Sequence, residues 1–141
     1  MDKGITTGYG DNLFGPDDSV TRAQAVTFLY RLAGAPDVSV ADRFDDVEYG
    51  DWFDRAVSWA VSYGITNGIS DTRFAPYEPV TYAQMLTFLA RAGGVTVTGA
   101  NWAQDAIDWA RGAGATGGLG FTGGDACPRR DVVYIMYNVS A

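Results

Sequence analysis

The chain has 141 residues, 47% of them hydrophobic and 19% charged, which suits one compact globular unit able to bury roughly two thirds of its unfolded surface. Ten Lys and Arg against 17 Asp and Glu leave a net charge of −7, and this argues against generic binding to nucleic acid or anionic lipid. With no His and one Cys, the sequence offers no histidine base, no Cys/His nucleophile pair, no zinc cluster and no internal disulfide. It also lacks a membrane-spanning apolar run and an export signal.

Internal repetition organises everything else. Residues 4–34 align with residues 64–94 without a gap, and 16 of the 31 positions are identical. A shift of 50 then aligns residues 51–68 with 101–118, and beyond it Phe74 pairs with Phe121 and Val80 with Cys127. The chain therefore reads as three units: a partial first over 1–35, a second over 42–95 and a diverged third over 96–141.

In chain order, the first unit opens with a glycine-rich loop holding Tyr9 and Asp11, both candidate binding residues because loops on a rigid scaffold present the contact groups. Thr21 and Gln24 form a T-x-x-Q capping box, which starts a helix with an apolar face at Ala25, Phe28, Leu29 and Leu32. Arg22 then occupies the first helical position. A cation is disfavoured there by the helix dipole, yet beside unpaired N–H groups it makes a bidentate receptor for a carboxylate or phosphate. The plainer alternative is an ion pair from Arg22 to Asp45 or Asp46.

The second unit predicts a helix capped at Asp51, with Trp52, Ala56, Trp59, Ala60 and Tyr63 on one face and Gly64 at its end. Phe74 is expected to pin the following loop into the core. Thr81 and Gln84 repeat the capping box, and Tyr82 stands where Arg22 stood. The third unit predicts a helix capped at Asn101, with Trp102 and Trp109 at the same spacing and Gly114 at its end. A last helix carries Val132, Val133, Ile135, Met136 and Val139 behind Pro128, Arg129 and Arg130. Helical spacing favours a core or half-core place for Trp52 and Trp102, with a sugar-facing role as the alternative, and a core place for Trp59 and Trp109. Cys127 aligns with Val20 and Val80 and reads as a buried hydrophobe. Asp45, Asp46 and Glu48 lack the ligand spacing of a calcium loop, so no metal or cofactor is expected. No stretch alternates as a strand does, and the fold is expected to be all-α.

These residues resemble a known family. The pattern Phe44-Asp45-Asp46-Val47, Trp52, Ala56-Val57, Trp59-Ala60, Gly64-Ile65, Phe74-Ala75-Pro76 and Val80-Thr81-x-Ala83-Gln84 is similar to the S-layer homology domain. Gly4-Ile5-Thr6 leading to Val20-Thr21-Arg22-Ala23-Gln24 carries the same likeness. The resemblance implies three helix-loop-helix repeats in a pseudo-threefold arrangement. Grooves between them would bind bacterial secondary cell-wall polysaccharide, often bearing a pyruvate ketal, and so anchor a protein at the cell surface. It places the anion-binding arginine at Arg22 and Arg129, with Tyr82 either silent or stacked on a sugar. Tyr9, Asp11, Asp46, Trp52 and Trp102 complete the candidate carbohydrate-binding set. The alternatives are an eroded scaffold used for protein association and, with nothing marking catalytic carboxylates, an enzyme. By the repeat offset, the first helix of unit 1 would begin before Met1. Three units minus one helix are expected to leave an apolar face open, on which a homo-oligomer would form.

Overall fold

The computed structural model describes residues 18–39 and 44–140. Among them are five helices and no strands: α1 (Arg22–Leu32), α2 (Asp54–Ser62), α3 (Tyr82–Ala92), α4 (Trp102–Gly112) and α5 (Arg129–Ser140). Tyr9, Asp11 and the glycine-rich loop that carries them lie outside the described residues.

Both capping boxes form. The Thr21 hydroxyl accepts from the Gln24 amide at 3.1 Å while Gln24 Oε1 accepts from the Thr21 amide at 2.8 Å. Thr81 and Gln84 repeat this at 3.1 and 3.0 Å. Each box satisfies a helix-start amide that would otherwise lack an acceptor.

The predicted cap of α2 is two residues too early. The Asp51 carboxylate accepts from the Glu48 amide at 2.8 Å, and the Asp54 carboxylate accepts from the Gly50 amide at 2.6 Å. Both aspartates thus close the turn ahead of the helix, and Phe53 becomes an N-cap without a side-chain bond. Trp52 is left on that turn, 56% exposed, instead of on the apolar face. Asn101 does precede α4, again without a capping bond from its side chain. At the other end of α2, Gly64 takes a left-handed φ of +73° while Ile65 donates back to the Ala60 carbonyl. That closure needs a residue without Cβ strain.

α2 packs on α1, α4 packs on α3, and α1 meets α3. In each of the first two pairs, the opening helix of one unit lies against the closing helix of the unit before it. Phe28, Phe53, Phe74, Met85, Leu86, Ile135 and Met136 fill the space between. Phe74 is fully buried, as its place in the loop predicts, and Trp59 joins the core, whereas Trp109 is only half-buried at its edge. On α5, Tyr134, Tyr137 and Val139 are exposed; the Tyr134 hydroxyl donates to the Gly117 carbonyl at 2.7 Å and ties the helix to that loop. No described helix is long and apolar enough to cross a membrane.

Candidate functional site

The three helix starts meet in a ring of backbone bonds. Val80 donates to the Val20 carbonyl (2.7 Å), Cys127 to Val80 (2.9 Å) and Val20 to Cys127 (3.4 Å). One step along, the amides of Arg22, Tyr82 and Arg129 donate to the carbonyls of Glu78, Asp125 and Asp18 at 2.9, 3.0 and 2.8 Å. Ala23 and Ala83 donate in turn to Pro76 and Gly123. This overturns the expectation that Arg22 stands beside unpaired amides, because the neighbouring unit supplies their acceptors. Cys127 is a buried member of the ring, and burial pushes its thiol well above the ordinary value, so it is no nucleophile.

Anion-binding capacity resides instead in the Arg22 guanidinium. Arg22 is 3% exposed, with its Nε donating to the Phe74 carbonyl at 2.8 Å. Its Cζ lies 4.8 Å from the Phe74 ring centroid and 5.3 Å from that of Phe88. The aromatic faces stabilise the cation and fix its plane. Among the described residues no acceptor takes the two Nη groups. Burial lowers the Arg22 pKa to about 10, partly countered by the charge of Asp46, so the side chain stays cationic at neutral pH.

The alternative ion pair of Arg22 with Asp45 or Asp46 does not form. The Asp46 carboxylate accepts from the Phe74 amide at 2.9 Å and the Ala75 amide at 2.8 Å, with Arg73 Nε 3.6 Å away. Its structural work is to hold the loop whose Phe74 carbonyl orients Arg22. Ala75 is kept at a left-handed φ of +61°, and next to this loop a Cβ on Gly68 would fall 2.6 Å from the Arg73 carbonyl oxygen.

Arg22 lines a cavity of about 390 Å³ with Thr66 and Gly68 of the loop, Gln84, Thr87, Phe88 and Arg91 of α3, Thr98 and Gly99 of the following segment, and Trp102 of α4. All three units contribute. Trp102, 37% exposed, presents an aromatic wall. Arg91 adds a second cation, its pKa lowered by burial. Its Nη2 and Nε donate to the Val97 carbonyl at 2.6 and 3.0 Å and its Nη1 to Ile65 at 3.1 Å, which fastens both loops that flank the cavity. Two guanidinium groups, hydroxyls and an indole suit a sugar carrying a carboxylate.

Of the candidates among the described residues, the structure brings Arg22 and Trp102 together on the cavity and places Asp46, Trp52, Tyr82 and Arg129 elsewhere. Asp46 lies behind the Phe74 loop and does not line the cavity. Trp52 stands against Phe53 with centroids 5.0 Å apart, on a different turn. Tyr82 is 6% exposed, its ring stacked on Phe121 at 4.6 Å and 14°, and its hydroxyl donates to Asp131. Burial first, then that bond, pushes its hydroxyl pKa up. A sugar cannot stack where Phe121 already lies, so that role for Tyr82 is withdrawn. Arg129 opens α5 half-buried, its amide bonded to the Asp18 carbonyl, and does not line the Arg22 cavity. Sequence reasoning missed Arg91, Gln84, Thr66 and Thr98. For Arg91 the signal was its identity with Arg31 across the repeat, which position late in a helix explains equally well.

Residues 2–26 and 43–86 match the family model of the S-layer homology domain. A cell surface protein of Thermoanaerobacter kivui is 32% identical over 137 residues, covering 94% of this chain and 18% of its own length. A surface layer protein of Brevibacillus choshinensis is 36% identical over 95 residues, covering 64% of this chain and 8% of its own. A cellulosome-anchoring protein of Acetivibrio thermocellus is 29% identical over 94 residues, with coverages of 61% and 21%. The chain thus spans about a fifth or less of the length of these relatives.

Proposed function

The chain belongs to the S-layer homology family across residues 2–26 and 43–86, and from that premise we propose that its anchoring role rests on an anionic cell-wall polysaccharide held in the Arg22 cavity. The module is a non-catalytic anchor of the cell surface. In this reading a sugar carboxylate, such as a pyruvate ketal, meets the Arg22 Nη groups, and Trp102 covers a face of the ring. Arg91 holds the walls and adds positive potential. The observation that carries it is the Arg22 guanidinium, buried between two aromatic rings yet lining the cavity with no acceptor for its Nη groups among the described residues. A buried cation kept without an acid partner is costly unless a ligand supplies the charge.

Co-sedimentation tests the reading. The protein should pellet with isolated Gram-positive walls and stay in solution once the non-peptidoglycan polysaccharide has been stripped with hydrofluoric acid. A soluble pyruvate-ketal N-acetylhexosamine should compete it off untreated walls. Pelleting that survives stripping would refute the proposal. With Tyr82 covered by Phe121, the corresponding position of the second unit provides no further anion site, and low valency per chain makes avidity across several chains important at the wall.

A further inference from the structure

Trp102 and Gln84 are shared walls: each also lines a second cavity, of about 550 Å³, that Arg22 does not line. Resting on the reading above, the geometry points to a second sugar subsite there, which takes the uncharged residue next to the anionic one. The chemistry of the two cavities differs in the way such a pair requires. The first holds Arg22 and Arg91, whereas among the described residues no ionisable side chain lines the second. A charged ring placed there would lose hydration without compensation, and a neutral ring would not.

The lining suits a pyranose. Ile107, Ala83 and Ala103 form an apolar floor for the C–H face of the ring, and a Cβ added at Gly123 would sit only 3.0 Å from Ile107 Cδ1 and 3.5 Å from Ala83 Cβ. Asn101, Gln104 and Thr81 supply polar atoms at the edge. The Gln104 Nε2 donates to Asp108 Oδ1 at 2.8 Å, which orients the amide and leaves its oxygen to accept from a hydroxyl or acetamido N–H. Gln84 Oε1 is taken by the Thr81 amide, which leaves Nε2 as a donor on the partition. Because Trp102 lines both cavities, a saccharide chain crossing it gains aromatic contact in each without any rearrangement of the protein.

The test is a chain-length series by calorimetry on the full chain, using the methyl glycoside of a pyruvate-ketal N-acetylhexosamine and the disaccharide that extends it with one uncharged N-acetylhexosamine. The disaccharide should bind about tenfold tighter than the monosaccharide. Ala103→Phe fills the second cavity from α4 and should abolish this gain while holding monosaccharide affinity within about twofold. If Ala103→Phe does not fold, Gln104→Leu, on the exposed side of α4, should reduce the gain in the same selective way. Equal affinity of the two saccharides for the unaltered protein overturns the subsite alone. A variant that weakens both saccharides equally, or that keeps the full gain, does the same. Absence of binding by both saccharides overturns the anchoring reading together with the subsite.

Discussion

Arg22 is held twice by Phe74: its Nε donates to the Phe74 carbonyl at 2.8 Å, and its guanidinium lies 4.8 Å from the centroid of the same residue's ring. Backbone and side chain of one loop residue thereby fix both the position and the plane of the cation. Fifty-two residues separate the two in sequence, so the arrangement exists only when the second unit's loop is docked against the first unit's helix.

Arg22→Met keeps the buried stem and removes the charge, so it should leave the fold intact and weaken binding of a pyruvate-ketal sugar by about 10- to 100-fold, the range of a charge-assisted bidentate contact. Arg22→Lys should recover little, because an ammonium cannot present two parallel donors while stacked between rings. Arg31→Ala, in the last turn of α1, should change affinity by less than about twofold. Equal losses from Arg22→Met and Arg31→Ala in calorimetry would show that the cavity is not the receptor.

The pH dependence has a definite sign. Burial lowers the Arg22 pKa to about 10, so binding of a carboxylate sugar should be flat between about pH 6 and about pH 9 and should fall as pH rises through about 10. The same shift acts oppositely on stability. The folded state disfavours the charged form, so this group's cost is fully present below about 10 and is relieved as pH rises above about 10 toward the unfolded chain's higher value. Affinity measured across that range by tryptophan fluorescence should therefore decline without loss of fold, and a midpoint near neutrality would exclude arginine as the titrating group.

In the proposed reading Asp46 acts through the loop and not on the ligand. Its two oxygens hold the Phe74 and Ala75 amides, and Asp46→Asn turns one acceptor into a donor facing a donor. The expected cost is about 1–3 kcal/mol, read as a lowered thermal midpoint, with weaker sugar binding because the Phe74 carbonyl no longer positions Arg22. Asp45→Asn, on an exposed neighbour, should do neither. A drop in affinity for Asp46→Asn with unchanged stability would instead place the carboxylate at the ligand.

Local pattern made the helices, both capping boxes, the glycine ends and the burial of Phe74 and Trp59 legible, since each depends on neighbours within a few residues or on a period. Arg22 and Trp102 stood among the candidates, one from its odd place at a helix start and the other from an aromatic at a repeat position, and both line one cavity. What stayed hidden depends on distant partners. The helix-start amides are satisfied by Glu78, Asp125 and Asp18 of other units, and nothing in a T-R-A-Q string announces those acceptors. Arg91 reads as a dipole-favoured cation until the carbonyls of Ile65 and Val97 are seen around it. Asp51 and Asp54 both resemble caps, and which of them closes the turn is decided by the bonds from Glu48 and Gly50.

Tyr82, aligned with Arg22 in the repeat, is a core residue. Its ring stacks on Phe121 at 4.6 Å, and its hydroxyl donates to Asp131, a carboxylate only 7% exposed with Arg130 Nε at 3.6 Å. Tyr82→Phe keeps the stack but leaves a buried carboxylate short of one donor, so it should destabilise the fold by about 1–3 kcal/mol. Sugar affinity should stay unchanged, since the Arg22 cavity does not include Tyr82. Tyr82→Ala should cost more, because it also opens a void against Phe121. Denaturant melts with parallel calorimetry decide the matter: a loss of affinity in Tyr82→Phe at unchanged stability would return this residue to the binding surface.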